Sequence, residues 1–323
     1  MTVEDLSNAV CVITGSNSGF GFHVAKGIAK QGGGVVISGR REDKNEKAKK
    51  ECEALGASKV IAITTDIADP KSVKALFEKA KEFDKPITHV FINAGVFPAS
   101  CENYVTDDDD VAITEIENSI NINVKGTMFT ARYAFKTLVE QKNGGCVVFT
   151  SSVGGSMGNG CAEILPAGNT VFNLYTSTKT FTDSIARGST KFLSDHNIRT
   201  YCISPSVYCT GMSNNEGDDG TGSVVNPLIK DYTGDPDDVA NVVLAMFDNT
   251  TTWKSGSNVG CEGPYTYDVH ERYKIMYLPE SFGIASPPIP IASLCNHLGE
   301  PANATQDDLD RIYKEYKASK EAK

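Results

Sequence analysis

Apolar positions follow two rhythms that alternate along the chain as far as residue 261. Ala9–Thr14, Gly34–Ser38, Val60–Thr64, Thr88–Ile92, Cys146–Thr150 and Ile198–Ser204 are short runs, apolar almost throughout and rich in β-branched residues. Such runs predict strands buried on both faces, and Ser257–Cys261 predicts one more. Between them apolar residues recur at helical spacing. The first helix carries Val24, Ala25, Ile28 and Ala29, and a second presents the charged face Glu42–Lys50. A third runs over Pro70–Phe83, with Asp69 as its cap and Pro70 at its first position. A long helical region covers Ile113–Gln141, with Asn121 and Asn123 inside the pattern. Another helix runs from Tyr175 toward His196, and Asp235–Phe247 forms the last, with Pro236 at its start. Strands alternating with helices predict an α/β domain, residues 1–261, built on a doubly wound parallel sheet of about seven strands.

Residues 262–323 break that rhythm. Pro287-Pro288-Ile289-Pro290 excludes a regular helix or a central strand. Leu309, Ile312, Tyr313 and Tyr316 then form an amphipathic stripe, and Thr305 with Asp308 resembles a capping box. The segment reads as a C-terminal extension whose helix packs on the same domain or on a partner subunit, and which walls the substrate pocket.

The turns carry the candidate chemistry. Gly15-Ser16-Asn17-Ser18-Gly19-Phe20-Gly21 joins the first strand to the first helix. Strand, glycine turn and helix together aim backbone N–H groups and a helix N-terminus at a phosphate. The second strand ends in Gly39-Arg40-Arg41. In a dinucleotide fold an acid here binds a ribose 2′-hydroxyl, whereas arginine accommodates a 2′-phosphate, so this pair predicts NADP(H) rather than NAD(H). Asp66, followed by Ile67, leaves the third strand and either meets the adenine or caps a turn. Asn93-Ala94-Gly95 ends the fourth strand with small residues suited to close approach of a ligand. Ser151 and Ser152 end the fifth, at the edge where open parallel sheets bind ligands. Tyr175 and Lys179 lie four residues apart, so a helix places them on one face, where a lysine cation favours the phenolate and lowers the tyrosine pKa.

Composition narrows the partners. With 22% charged residues and a net charge of −10, neither nucleic acid nor an anionic membrane is an expected partner. No apolar run approaches the roughly 20 residues of a membrane span. The 9 cysteines form no CxxC pair, and Met1–Asn8 is polar and acidic with no signal pattern. Both point to free thiols in a reducing, cytoplasmic setting. The acidic run Asp107–Asp110 reads as a solvated loop or helix start rather than a metal site. The glycine-rich stretch Asn214–Ser223 is a candidate lid, and Val153–Leu174 reads as a loop.

Taken in order, these motifs resemble the short-chain dehydrogenases/reductases over roughly Ala9–Gly260. Thr14-Gly15-x-x-x-Gly19-x-Gly21 is similar to that family's cofactor motif, and Asn93-Ala94-Gly95 to its N-A-G motif, with Ile92 in place of the usual first asparagine. Asn123-Val124-Lys125-Gly126 resembles the helix motif of its proton relay. Pro205 to Thr210 resembles the loop around the nicotinamide, with Ser206 for glycine and Tyr208 for valine. The resemblance implies a Rossmann-type fold and NADP(H)-dependent interconversion of a carbonyl and an alcohol. It implies Tyr175 as general acid/base, Lys179 lowering its pKa and holding the nicotinamide ribose, and Ser152 bonding the substrate oxygen. Asn123 is implied to position a water, and Pro205, Tyr208 and Thr210 to line the cofactor. The expected ligands are NADP(H) and a small carbonyl or alcohol, in a monomer or a homo-oligomer. Tyr175 follows Ser152 by 23 residues, a longer gap than the family pattern. In some monomeric carbonyl reductases of the family an insertion there blocks the usual helix-pairing interface. A non-catalytic NADP-binding regulator, and an epimerase or dehydratase on the same fold, are the alternatives.

Overall fold

The computed structural model describes residues 5–98, 108–157, 171–206, 208, 234–262 and 265–269. Within them eight strands form one sheet in the order β3-β2-β1-β4-β5-β6-β7-β8. These are β1 (Val10–Thr14), β2 (Gly34–Gly39), β3 (Lys59–Thr64), β4 (His89–Ile92), β5 (Gly145–Thr150), β6 (Ile198–Pro205), β7 (Asn258–Glu262) and β8 (Tyr265–Asp268). All neighbours pair in parallel except β7 and β8. The seven parallel strands coincide with the predicted ones. The eighth differs from expectation: the chain does not leave the sheet after Gly260 but folds back, pairing Glu262 with Tyr265 and Val259 with Asp268.

Alternate side chains of each central strand enter opposite cores. Cys11 and Ile13 of β1 pack with Val24, Ala25 and Ile28 of α1 (Gly19–Lys30). Val10 and Val12 pack with Val73, Leu76 and Phe77, which belong to α3 (Pro70–Ala80). Helix α2 (Glu42–Ala54) covers the α1 face. The connection order reverses between β1 and β4, and in a doubly wound sheet that reversal opens a crevice at the strands' C-terminal ends.

Three helical predictions are revised. The region expected as one helix over Ile113–Gln141 begins earlier and is broken. It comprises α4 (Asp109–Ser119), a π-helical stretch Ile120–Gly126, and α5 (Thr127–Gln141). Asp108 caps α4 by accepting from Asp110 N at 2.9 Å, so this part of the acidic run is a helix start. The stretch expected as a loop holds the short helix α6 (Val153–Met157), and α7 (Val171–Ser194) starts before Tyr175. The last helix, α8 (Pro236–Phe247), begins at Pro236 as expected, and Asp235, placed within it by the sequence, is its cap. Residues 158–170, Thr210, Asn214–Ser223, the proline segment and the Leu309–Tyr316 stripe lie outside the described residues.

Candidate active site

Two clusters face each other across the switch between β1 and β4. At the first, the glycine turn leaves β1 with Gly15 at φ 66° and Gly19 at φ 54°, left-handed conformations that glycine adopts without strain. Gly21 lets α1 close onto the turn. A Cβ there would overlap the Gly15 carbonyl and stand 2.8 Å from Asn93 Nδ2. Ser16 is fully buried; its hydroxyl donates to Ile13 O at 2.8 Å and accepts from Ser38 N at 2.8 Å. That side chain stitches β1 to β2 and is committed before any ligand arrives. Asn17 Nδ2 donates to Asn45 Oδ1 at 2.7 Å, and Asn45 Nδ2 donates to Gly39 O at 2.9 Å. Asn45 is buried although it lies within the charged run Glu42–Lys50. A lone amide among charged residues was the available signal.

The two arginines separate in space. Arg40 is exposed, whereas Arg41 is half-buried and its Nη1 is buried without a hydrogen-bond partner. A buried guanidinium N–H with no acceptor fits an anionic group supplied from outside the chain. Asp66 Oδ1 accepts from Ala68 N at 2.9 Å, so at least one of its oxygens caps a turn. Ile67 is core, and its side chain occupies the space left by Gly126 of the π-helical stretch.

The second cluster stands at the ends of β4, β5 and β6. The structure distinguishes the two serines. Ser151 is buried and donates to Lys179 O at 2.7 Å. Ser152 is half-buried, hydrogen-bonds the Tyr175 hydroxyl, and lies 3.5 Å from Pro205 O. Lys179 is buried, with Nζ donating to Thr150 O at 3.0 Å and lying 5.6 Å from the Tyr175 ring centroid. Burial lowers the Lys179 ammonium to about 8 and pushes the Tyr175 phenol up to about 12, with the Ser152 bond pulling the other way. The expectation that Lys179 lowers the tyrosine is therefore corrected in the free protein. Desolvation of the buried phenolate is the larger effect, and the Lys179 Nζ is directed to the Thr150 carbonyl.

Asn123 sits in the π-helical stretch, and its amide is fully engaged. Nδ2 donates to Val96 O at 2.8 Å and Thr178 Oγ1 at 3.1 Å, while Oδ1 accepts from Val96 N at 2.8 Å. Its side chain is thus a structural clamp between the loop after β4 and α7. Gly95 lies close by: a Cβ there would stand 3.1 Å from Asn123 Oδ1 and 3.3 Å from Lys179 Nζ.

Asn93 and Thr150 lace the clusters together. Asn93 Nδ2 donates to Thr14 O at 3.1 Å and Gly15 O at 3.2 Å, and Thr150 Oγ1 donates to Asn93 Oδ1 at 3.2 Å. Thr14 Oγ1 accepts from Asn93 N and Ala94 N at 3.0 and 3.2 Å. Tyr208 is buried and makes an edge contact with Phe20 at 5.4 Å between centroids. A Cβ on Gly234 would overlap its ring, so the larger residue in place of valine is accommodated by that glycine. Thr14, Asn45, Thr150 and Thr178 were missed as site residues. Each works through a buried hydrogen bond to a distant residue, which no local pattern announces.

A twisted parallel sheet with a glycine turn at its switch point, facing a serine, a tyrosine and a lysine, defines a nucleotide-binding α/β enzyme. The family model described as short chain dehydrogenase matches residues 9–220, and the chain belongs to that family. It is an oxidoreductase family that uses a nicotinamide cofactor. The chain is 26% identical over 276 residues to the NADPH-dependent aldehyde reductase 2, chloroplastic, of Arabidopsis thaliana, covering 79% of this chain and 94% of that protein. A short-chain type dehydrogenase/reductase from Mycobacterium marinum superposes with a TM-score of 0.68 at 22% identity, covering 81% of this chain and 96% of that one. The 3-ketoacyl-(acyl-carrier-protein) reductase from Brucella melitensis, solved with NADH, gives 0.66 at 21% identity, covering 80% and 98%. No helix of the described residues is long and apolar enough to cross a membrane.

Proposed function

We propose that this chain is an NADP(H)-dependent reductase that interconverts a ketone or aldehyde with its alcohol, with Tyr175 as the general acid/base. The observation that carries the reading is the convergence of Ser152, Tyr175 and Lys179 at the C-terminal edge of the sheet. The bound cofactor supplies the hydride, and the chain supplies orientation and the proton. In the reducing direction the phenol of Tyr175 hands its proton to the carbonyl oxygen as negative charge develops there. The Ser152 hydroxyl, already bonded to the phenol, reaches the same oxygen and stabilises that charge. Lys179, held by Thr150, keeps a cation beside the phenolate left behind. Asn123 positions a water that passes the proton back from solvent. The glycine turn with Asn93, Ala94 and Gly95 would hold the dinucleotide, and Pro205 and Tyr208 would line its nicotinamide end.

The preference for the 2′-phosphate rests on Arg41, whose buried Nη1 lacks an acceptor, with Arg40 as an exposed second cation. A relative described as NADPH-dependent points the same way. Among the described residues Cys11, Cys52, Cys146, Cys202 and Cys261 are buried thiols rather than disulfides, which supports a reducing, cytoplasmic setting. The test is a panel of ketones and aldehydes with NADPH and NADH, following loss of the reduced nicotinamide absorbance. Turnover with NADPH on at least one carbonyl is expected. Cofactor binding without turnover on any carbonyl would return the chain to the non-catalytic alternative.

A further inference from the structure

The residue just before the active-site lysine belongs to no role assigned so far. Thr178 is buried, and its hydroxyl has two partners. It donates to Tyr175 O at 2.7 Å and accepts from Asn123 Nδ2 at 3.1 Å. The direction of both bonds is forced. The other Asn123 amide proton goes to Val96 O, its carbonyl oxygen takes Val96 N–H, and a threonine hydroxyl owns one proton. Val96 is followed by Phe97, whose ring lies 4.8 Å from the Tyr175 ring, centroid to centroid, at 49°. The contacts close on themselves: Tyr175 main chain, Thr178, Asn123, Val96, Phe97, Tyr175 ring. One circuit holds the tyrosine at its backbone and at its side chain, and it joins the strand-end loop after β4, the π-helical stretch and α7.

We infer that Thr178 is a positioning residue for the reaction, holding Tyr175 in the place from which its hydroxyl reaches the substrate oxygen. The inference rests on the proposed role of Tyr175. Small misplacement of a reacting group costs rate far more than binding. Removing the Thr178 hydroxyl should therefore act on kcat and leave ground-state affinities nearly alone.

Thr178→Val keeps the shape and deletes both bonds, while Thr178→Ser keeps the hydroxyl. With NADPH and the best carbonyl of the panel, Thr178→Val should lose about tenfold or more in kcat. KM and the Kd for NADPH should move by less than about threefold. Thr178→Ser should restore most of the loss. A second measurement does not require turnover: hydrogen exchange at the Val96 amide should speed up in Thr178→Val and stay near wild type in Thr178→Ser, because Asn123 loses an anchor only in the first. If Thr178→Val proves poorly folded, Thr178→Ala is read the same way. The inference is overturned if serine is as impaired as valine, if the loss falls on KM or Kd instead of kcat, or if Val96 exchange is unchanged. A wild-type protein inactive on every carbonyl would instead sink the proposed function, and the exchange experiment would still decide whether the clamp exists.

Discussion

Two cations sit at opposite ends of the site, and the chain treats them differently. Arg41, at the end of β2, has a buried N–H with no acceptor in the protein. Lys179, on α7, is buried against Thr150 O, and its ammonium is lowered to about 8. The arginine end is prepared for a charge it does not contain. The lysine end contains its charge at the expense of stability, because an ammonium held by a carbonyl dipole is less well solvated than one in water. The arginine end is shaped by backbone conformation and steric room, as at Gly15 and Gly21, together with side-chain bonds such as Asn17 with Asn45. The lysine end is shaped by side-chain bonds between residues far apart in sequence, such as Asn123 with Thr178. Binding and chemistry should therefore fail separately when either end is altered.

The largest effect should come at the lysine end. Tyr175→Phe keeps the ring against Phe97 and removes the proton, so kcat should fall by about 10²–10⁴ with cofactor affinity retained. Unchanged turnover would end the case for Tyr175. With the phenol up at about 12 and the Lys179 ammonium at about 8, wild-type carbonyl reduction should vary little between about pH 5 and 7 and decline as the pH rises through about 8, where the lysine loses its charge while the phenol keeps its proton. Alcohol oxidation, which needs the phenolate, should rise with pH. A reduction rate that titrates away already below about pH 7 would identify a different acid.

Gly21→Ala attacks the other end. Its methyl meets the Gly15 carbonyl and the Asn93 amide, so overpacking should cost roughly 1–3 kcal/mol in denaturant unfolding and weaken cofactor binding. Normal affinity and stability would show that the turn yields more easily than its packing implies. Arg41→Ala is gentler. The wild-type preference for NADPH over NADH, about tenfold or more from one charge-assisted bond, should shrink toward equality, and salt should narrow it in the wild type. Arg40→Ala should do less, because that side chain is exposed. An equal effect of the two would remove the distinction drawn between them.

The smallest effect sharpens the lysine's cost. The folded-state pKa of Lys179 is lowered to about 8 from 10.5, so the unfolded chain binds more protons between those values. Its contribution to stability is present above about pH 10.5 and is lost as the pH falls through about 8. Lys179→Met should raise Tm at pH 7 by at least about 2 °C and flatten the rise in stability through that window. Tyr175 acts in the opposite sense at higher pH: its raised pKa means stability is lost as the pH climbs from about 10 toward about 12. A Tm of Lys179→Met below that of the wild type would mean that packing of the lysine stem outweighs the buried charge.

The parallel strands, the Asp69 cap, the helix start at Pro236 and the glycine turn were legible because each depends on neighbours within a few residues. An apolar run of β-branched residues needs cover on both faces, an aspartate before Pro70 can cap only the helix that follows, Pro236 suits a helix start, and a left-handed turn at Gly15 asks for glycine. The break at Ile120–Gly126 escaped the sequence because a seven-residue π-helical stretch is too short for its own wider period to show among the flanking α-helices. The β8 hairpin escaped because nothing in Tyr265–Asp268 declares which edge it will pair with.

Residue identities and spacing alone determined the doubly wound sheet, the glycine turn and the Tyr175–Lys179 pair on one helical face. Only the tertiary structure decided that Ser151 is spent on Lys179 O while Ser152 bonds the Tyr175 hydroxyl, as the family resemblance implied for Ser152, and that Arg41 rather than Arg40 carries the buried orphan N–H. It also decided that the Asn123 amide is spent on Val96 and Thr178, and that the phenol is raised rather than lowered. The reason is common to all four. Burial and hydrogen-bond saturation are set by whichever distant segments the fold brings together, and here those partners include a strand-end loop 27 residues away and a helix 55 residues away.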